Sequence, residues 1–297
     1  MEERVFAVIP SWNLKDDLIA CVASVLESSS DQVRVVVVDS ASTDGTVEAV
    51  QQAFGNAVEI ICCQENRGFA YAANKGCRYA LEAGADFALV LNNDTILGDR
   101  MIQELTQTMS QHPGVGIAAP VIYYYDSPDR IWHTGDRHLI GPPLTWHVSK
   151  SEVSSAPFKV DYVTGCGMLI RREVLETVGM FSEDYHMYFE DADFCQRARS
   201  AGFEIMVVPS AILRHKVSLS TRGAAPERIF YQTRGRVIFL NRHSPHFLWL
   251  AAHVYLWMRA LAGCTRRMLE GRPDLSRSIV AGTIAGYAYL LQPAERE

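Results

Sequence analysis

Val33–Asp39 reads VRVVVVD, five valines and one arginine that end in an aspartate. A run so rich in β-branched residues predicts a parallel strand that is buried on both faces of a sheet. The flanking chain alternates short apolar runs with segments of helical spacing. The pattern predicts strands at 5–10, 58–62 and 87–91, and helices at 15–28, 47–54, 69–83 and 101–112.

This alternation predicts an α/β fold with a Rossmann-like, mostly parallel central sheet and helices on both faces. Beyond residue 112 this alternation of strand and helix signals stops. Residues 123–159 are rich in aromatics, His, Gly and Pro, which favours loops and short strands. Further on, we predict strands at 160–170 and 205–208, a helix at 190–201, and helices from 226 onward with a break at 244–245.

Composition excludes several classes of protein. The 297 residues suffice for a large core, and a net charge of -6 argues against a nucleic-acid partner. Seven cysteines, an odd number with no C-x-x-C pair, predict reduced thiols and a cytoplasmic location. The first residues resemble no signal peptide, and the longest apolar stretch, 247–264, is interrupted by His253 and Arg259.

Polar residues follow several of the predicted strands. Asp39 ends one strand, and Asn92, Asn93 and Asp94 follow another. Ligands of such sheets bind outside the carboxyl ends of the strands, so these residues, with Asn66, are expected in one crevice. A carboxylate there can hold Mg²⁺ or Mn²⁺ against substrate phosphates. A simple strand-to-loop turn favours the same residue types and remains open.

A second acidic group comprises Glu190, Asp191 and Asp193, directly after an aromatic run. Acidic residues favour the first turn of a helix, which explains one or two of the three. A carboxylate partly buried by the aromatic residues is also a candidate for proton transfer. His215 alone is more often structural than a ligand, and Asp44 in a Thr-Asp-Gly turn suits a turn equally well.

Several motifs, in order, resemble glycosyltransferase family 2, most closely its bacterial rhamnosyltransferase-like branch. The resemblance covers about residues 4–243. Its motifs are IPSWN (9–13), VVVDSASTDGT (36–46), NRGFAYAANKG (66–76), LVLNNDT (89–95), the segment GCGMLIRREVLETVGMFSEDYHMYFEDADFCQRARSAGF (165–203) and the region of His215.

The resemblance implies a GT-A fold, a nucleotide diphosphate sugar donor, a divalent metal (Mg²⁺ or Mn²⁺) and inversion at the anomeric carbon. Asn92, Asn93 and Asp94 match the metal motif Asp-Xaa-Asp, with Asn92 departing from it, so that Asp94 and His215 would be the metal ligands. Asp191 matches the catalytic base, and the adjacent Glu190 is its rival. The remaining matched residues would bind the nucleotide (Pro10, Asn13, Asp39, Ser40, Asp44) and the diphosphate and donor region (Asn66, Arg67, Gly68, Asn74).

The resemblance also divides the chain. We expect a catalytic domain at 1–243, with a nucleotide-sugar half at 1–122 and an acceptor half at 123–243, and a C-terminal helical extension at 244–297. By resemblance dTDP-rhamnose is the favoured donor, a UDP-hexose the second, and a glycan or lipid-linked hydroxyl the acceptor. Aromatic residues and five arginines around the apolar segment suit peripheral contact with the inner face of a membrane. Packing on the catalytic domain and a homodimer interface remain open.

Two alternative functions fit the sequence less well. A nicotinamide dehydrogenase needs a Gly-rich turn after the first strand, whereas Pro10, Ser11, Trp12 and Asn13 stand there; this class is excluded. The second is a catalytically silent partner subunit that binds a sugar nucleotide. The presence of Asp94, Asp191 and His215 argues against it.

Overall fold

The computed structural model describes residues 3–28, 33–138, 145–148, 153, 155–217 and 225–291. The chain forms two compact units. The first, here called the sheet unit, comprises residues 1–137, 147–183 and 191–217. The second, the helical unit, comprises 138–146, 184–190 and 218–297. Each is described by itself below.

The first half of the sheet unit confirms the predicted alternation of strands and helices. Strands β1, β2, β3 and β4 are parallel and lie in the order β3-β2-β1-β4. The order therefore reverses beside β1, which is where ligands bind in open α/β sheets. The elements are β1 (Val5–Ser11), α1 (Lys15–Ser28), β2 (Val33–Asp39), α2 (Thr46–Phe54), β3 (Val58–Cys62), α3 (Phe69–Glu82), β4 (Phe87–Leu91), β5 (Thr95–Leu97) and α4 (Met101–Gln111).

The second half extends the sheet with mixed pairing. Beyond β4 the order is β11, β6, β12 and β10, with β5 paired to β12 and β7 to β6. Strand β11 is antiparallel to its two neighbours, and β12 is parallel to β6. Strands β8 (Asp136–His138) and β9 (Thr145–His147) pair with each other in a separate two-stranded sheet. The other elements are β6 (Val115–Tyr124), β7 (Ser127–His133), β10 (Phe158–Val160), β11 (Gly167–Arg171), α5 (Arg172–Val178), α6 (Glu190–Ser200) and β12 (Glu204–His215).

The sequence pattern missed part of this half. Strands β5 and β6 and helix α5 were not predicted, and β12 is a twelve-residue strand where four residues were expected. The predicted strand at 160–170 is wrong in its middle, because β10 ends at Val160 and β11 begins only at Gly167. The residues between them leave the sheet and bring Tyr162 and Gly165 to Asp191.

The core lies on both faces of the sheet, as predicted. Successive side chains of a strand point to opposite faces. On β1, Val5, Ala7 and Ile9 pack in one cluster with residues of α1, α2 and α4. Val8 packs on the other face with residues of α3, α5 and α6. The cysteines are all free thiols, as expected, and five of the seven are buried: Cys21, Cys63, Cys77, Cys166 and Cys195.

The helical unit contains α7 (Ala225–His243), α8 (Trp249–Leu269) and α9 (Pro273–Leu291). The predicted break at 244–245 is present, and α8 and α9 are separated by a second break. Helix α9 packs against α7 so closely that a Cβ on Gly282 would lie 2.5 Å from the carbonyl oxygen of Phe230. The helix 225–243 thus groups with the extension, and the domain limits given above stay a prediction.

Helix α8 presents an apolar stripe to solvent, made of Leu250, Val254, Trp257, Met258 and Leu261. These residues follow helical spacing, and their exposure ranges from 51% to 71%. Together with the turn before it, α8 forms the helix His246–Leu269, which is long and apolar enough to cross a membrane. Core helices of soluble proteins meet the same criterion of length and composition.

Candidate active site

The carboxyl ends of β1 and β2 lie next to the point between β1 and β4 where the strand order reverses. Ser11 and Asp39 end these strands and are partners in the parallel register. Asp39 is buried, and one carboxylate oxygen, Oδ2, accepts a hydrogen bond from the backbone N–H of Ser42 at 3.0 Å. The other oxygen, Oδ1, is buried and has no hydrogen-bond partner among the described residues. A buried acceptor of this kind is costly unless a ligand or water satisfies it.

The loops after β1 and β2 are fastened to each other. Asn13 has a φ of 57°. Its N–H donates to Ser42 Oγ at 2.7 Å, and its side-chain oxygen accepts from the N–H of Thr43 at 2.9 Å. The carboxylate of Asp44 accepts from the N–H of Lys15 and from Thr46. Asp44 therefore makes the hydrogen bonds of a turn, and its contact with the nucleotide stays a prediction.

The residues predicted to bind the diphosphate differ in their contacts in the structure. Asn66 accepts a hydrogen bond from the N–H of Gly68, which directly precedes α3 and has a φ of 93°. Asn74 is buried, and its amide group exchanges hydrogen bonds of 2.9 Å with the backbone of Phe181. Its side chain therefore holds a loop. A direct contact of Asn74 with a donor stays a prediction.

Arg67 lies at the surface beside the same segment. Its guanidinium lies over the ring of Tyr71, 4.3 Å from the centroid, and one of its nitrogens is 3.4 Å from Glu183 Oε2. Half of the Arg67 side chain is exposed. Because surface pairs of this kind contribute little to stability, the guanidinium can be recruited by an anionic ligand at small cost.

Asp94 and His215 meet where two antiparallel strands pair. In that pairing Thr95 is the partner of His215, and the N–H of Lys216 donates to the backbone oxygen of Asp94. The Asp94 Oδ1 and His215 Nε2 atoms are consequently 3.1 Å apart, and both side chains are more than 90% buried. The other ring nitrogen of His215, Nδ1, is buried and has no hydrogen-bond partner in the described part of the chain.

The two asparagines before Asp94 hold the site to β1. Asn93 donates from its amide nitrogen to Ser11 Oγ at 3.2 Å and to the backbone oxygen of Asn13 at 3.4 Å. Asn92 is bonded through its backbone N–H to the carbonyl of Cys166 on the other side. The predicted metal motif therefore lies between β1 and β11, at the carboxyl end of β4.

The donor set at Asp94 suits a hard divalent cation that also binds phosphate. One carboxylate and one imidazole converge, and Mg²⁺ and Mn²⁺ sites of this type are completed by substrate phosphates and water. Within the described ranges no group of three or more His, Cys, Asp or Glu side chains forms a metal site of its own. Asp94 and His215 thus provide two candidate ligands, and their role in metal binding stays a prediction.

Asp191 is buried in the first turn of α6. Its Oδ2 atom accepts hydrogen bonds from the Tyr162 hydroxyl at 2.9 Å and from the N–H of Gly165 at 3.1 Å. Burial raises the pKa of Asp191, and the bonds from Gly165 and Tyr162 partly offset the rise. Burial also keeps the pKa of Tyr162 well above its usual range, so that the hydroxyl remains a donor.

The other acidic residues of this helix differ from Asp191. Asp193 forms an ion pair of 2.8 Å with Arg197, which also donates to the backbone oxygens of Val178 and Met180. Asp193 is therefore structural. Glu190 is buried at the first position of the helix. Its role as the rival of Asp191 stays a prediction.

Sequence reasoning missed the partners of both acidic groups. The Trp132 ring meets the His215 ring edge-on, with centroids 4.5 Å apart, and the His133 ring meets the Tyr162 ring in the same way at 5.6 Å. Burial lowers the pKa of His133 to about 4, so the imidazole is neutral near pH 7. The only signal in the sequence was the abundance of His and aromatic residues over 123–159.

The sheet and its strand-end residues define a GT-A glycosyltransferase fold. Residues 3–234 match the family model Glycosyltransferase like family 2, and the chain belongs to glycosyltransferase family 2. It is similar to the N-acetylglucosaminyl-diphospho-decaprenol L-rhamnosyltransferase of Mycobacterium tuberculosis, with 29% identity over 75% of this chain and 80% of the relative.

Two further proteins are similar to the chain. The dTDP-rhamnosyl transferase RfbF of Shigella flexneri is 27% identical over 84% of each chain. The solved structure of the mannosyltransferase PcManGT from Pyrobaculum calidifontis, in complex with GDP-Man and Mn²⁺, matches with a TM-score of 0.64 and 18% identity. That match covers 97% of this chain and 88% of the other. The resemblance inferred from the motifs is thus confirmed: the chain is a rhamnosyltransferase-like glycosyltransferase.

Proposed function

We propose that the protein transfers L-rhamnose from dTDP-rhamnose, with inversion, to a hydroxyl of a lipid-linked glycan. A UDP-hexose is the second candidate donor. The names of the two rhamnosyltransferase relatives support the sugar. The observation that carries the reaction type is the presence, in one unit, of the Asp94–His215 pair and the buried carboxylate of Asp191.

The donor nucleotide is assigned to the carboxyl ends of β1 and β2. Asp39 Oδ1 lacks a partner there and is suited to accept a hydrogen bond from a ribose hydroxyl or a base imino group. Pro10, Asn13 and Ser40 adjoin it on the strand ends and loops, and the N–H of Ser40 fixes this arrangement by donating to the Ser11 carbonyl at 2.8 Å. The diphosphate would then extend toward Asp94.

Asp94 and His215 are proposed to hold a divalent metal together with the donor diphosphate. When bound, such an ion neutralises the charge that develops on the leaving nucleoside diphosphate. Asn92 contributes no charge in the position where the family motif has an aspartate, so Asp94 supplies the only carboxylate of the motif. Asn93 keeps Asp94 in register with β1.

Asp191 is proposed to remove the proton of the acceptor hydroxyl. A sugar hydroxyl is a weak nucleophile near neutral pH and needs a positioned base. Because Tyr162 and Gly165 both bond Oδ2, the carboxylate is held in one orientation. Its other oxygen accepts a bond from the N–H of Ala192. Burial raises the pKa of Asp191, so the carboxylate is a stronger proton acceptor than an exposed aspartate.

The donor assignment predicts selective stabilisation. With Mn²⁺ present, dTDP-rhamnose is expected to raise the melting temperature more than UDP-glucose, GDP-mannose or dTDP alone. At a hundredfold excess over the dissociation constant the gain is about 2.7 kcal/mol. A thermal-shift panel of these nucleotide sugars measures it, and an equal response to all four would remove the preference for dTDP-rhamnose.

A turnover assay separates the enzyme from the silent partner subunit. Release of dTDP from dTDP-rhamnose, with acceptor present, is expected from the wild-type chain. Binding without release would support the partner-subunit reading.

The helical unit is proposed to contact an anionic membrane surface, as suits a lipid-linked acceptor. Its exposed stripe on α8 is apolar. Residues 246–291 carry five arginines and only two acidic residues, although the whole chain has a net charge of -6. Apolar burial combined with attraction to anionic headgroups is how interfacial helices bind. This would bring the enzyme to the inner face of the membrane.

Liposome flotation tests this contact. The wild-type chain is expected to float with vesicles that contain anionic lipid and to float less with neutral vesicles. Changing Leu250 and Leu261 to glutamate should abolish flotation, because both side chains are exposed and the changes leave the core intact. The matched control adds the same charge at the exposed Gln51 and Gln52. If all three chains behave alike, the stripe serves another purpose such as dimerisation, which sedimentation would detect.

A further inference from the structure

A cleft lies beside β7 in the sheet unit. It has a volume of about 410 Å³ and is lined by residues 129–136 together with 147 and 148, here called the β7 cleft. This volume falls in the range of small-molecule sites. The nucleotide assignment uses the ends of β1 and β2 and does not use this cleft.

One wall of the β7 cleft touches the partners of both catalytic groups. Trp132 packs against His215, the neighbour of Asp94. The next residue, His133, packs against Tyr162, whose hydroxyl donates to Asp191. Through Trp132 and His133, the cleft wall therefore contacts the two rings that lie next to Asp94 and Asp191.

The cleft contains a buried carboxylate with an imidazole partner. Asp136 is only 4% exposed, and its Oδ1 atom lies 2.5 Å from Nδ1 of His147, whose side chain is 83% exposed. The backbone of Asp136 is fixed to that of Tyr162 by hydrogen bonds in both directions, of 2.9 and 3.1 Å. The Asp136–His147 pair is thus anchored to the residue that holds Asp191.

A further polar atom in the cleft wall lacks a partner. The Nε2 atom of His133 is buried and makes no hydrogen bond to any residue that the structure describes. A neutral imidazole nitrogen can donate to or accept from a hydroxyl, depending on its tautomer. Together with Asp136 and His147, it gives the cleft both donors and acceptors for hydroxyl groups.

We propose that the β7 cleft is the acceptor subsite and binds a sugar ring through its hydroxyls, with His133, Asp136 and His147 as hydrogen-bond partners. This inference rests on the proposed function, because it takes Asp191 as the base. Sugar hydroxyls both donate and accept hydrogen bonds, so they can pair with the carboxylate and with the imidazole. A phosphate group is an anion and would be repelled by the carboxylate. Through His133 the cleft wall adjoins Tyr162, the residue that holds Asp191.

Binding can be measured without turnover. Saturation-transfer NMR with a panel of monosaccharide 1-phosphates, and separately with dTDP and Mn²⁺, probes the two subsites of the full chain. At least one sugar phosphate is expected to give a signal that His147→Ala and Asp136→Asn reduce at least tenfold, whereas the dTDP signal stays unchanged. His112→Ala removes an exposed histidine elsewhere in the same unit and should leave both signals intact.

The outcomes separate this inference from the proposed function. Absence of any sugar signal with the wild-type chain, or an undiminished signal in both variants, overturns the acceptor subsite. Loss of the dTDP signal in the variants would assign the cleft to the donor and would also overturn the acceptor subsite. Failure of the wild type to release dTDP in the turnover assay, with the sugar signals behaving as expected, contradicts the proposed function alone. Equal melting temperatures for wild type and His147→Ala are the control for folding.

Discussion

Replacement of Asp191 by asparagine is expected to lower turnover by about two to four orders of magnitude, because a positioned base contributes about that much to the rate. Asparagine keeps the shape of the side chain, and its oxygen can still accept the bonds from Tyr162 and Gly165. What it loses is the capacity to take a proton. Affinity for dTDP, measured by calorimetry with Mn²⁺, should change little.

Glu190→Gln is the matched comparison, since it removes the adjacent carboxylate in the same manner. Neighbours on a helix point about 100° apart, so only one of the two can serve one hydroxyl. We expect Glu190→Gln to retain more activity than Asp191→Asn. Near-normal turnover for Asp191→Asn, combined with collapse for Glu190→Gln, would transfer the role of the base to Glu190.

The pH dependence gives an independent test of Asp191. The base acts in its ionised form, and burial raises its pKa. The value of kcat/KM should therefore fall on the acidic side with an apparent pKa above the usual value of about 3.9. Tyr162→Phe removes a hydrogen bond that favours the ionised carboxylate, which raises the pKa further and moves the acidic limb to higher pH. An unmoved limb would mean that Tyr162 does not position the base.

The first half of the fold could be predicted from the sequence because its signals are local. The valine run of β2, the helical spacing of α1 and the strand signals of β3 and β4 follow from neighbouring residues alone. Parallel strands then bring their carboxyl ends together without further information. Asp39 and Asp94 were therefore expected at one edge of the sheet, before any distance was known.

The second half depends on contacts that the chain makes over long separations. Asp94 and His215 are 121 positions apart in the sequence, and only the antiparallel pairing of β5 with β12 brings them together. Strand β5 has three residues, too few to give a periodic signal. Tyr162 carries no motif at all, and its hydrogen bond to Asp191 requires the interruption between β10 and β11.

The sequence identified the candidate acidic residues but could not distinguish catalytic from structural ones. Asp44, Asp191 and Asp193 all stand where a helix begins, and composition treats them alike. The structure distinguishes them by partner, since Asp44 bonds the turn of α2, Asp193 pairs with Arg197, and Asp191 alone is held by a buried tyrosine. The sequence also gave no sign of the backbone strain just before α6. There Tyr188 and Phe189 adopt positive φ values of 68° and 75°, which are rare for bulky residues.

The second large effect is expected at Asp94. If this carboxylate and His215 hold the metal with the donor diphosphate, wild-type affinity for dTDP should be higher with Mn²⁺ or Mg²⁺ than with chelator. Asp94→Asn should reduce the Mn²⁺-dependent affinity by about tenfold or more, roughly 1.4 kcal/mol, to the level seen with chelator. Turnover should fall further, because stabilisation of the leaving diphosphate is worth several kcal/mol.

Asp99→Asn provides the control for Asp94→Asn, as it removes an exposed carboxylate just after β5, five residues later. We expect it to leave both affinity and turnover unchanged. His215→Ala should resemble Asp94→Asn in direction but with a smaller loss, because the carboxylate carries the charge that attracts the cation. Calorimetric titration of dTDP with Mn²⁺, Mg²⁺ and chelator compares all four chains. Equal wild-type affinity under the three conditions would show that Asp94 and His215 bind no metal, and would leave the pair as a hydrogen bond that joins β12 to the end of β4.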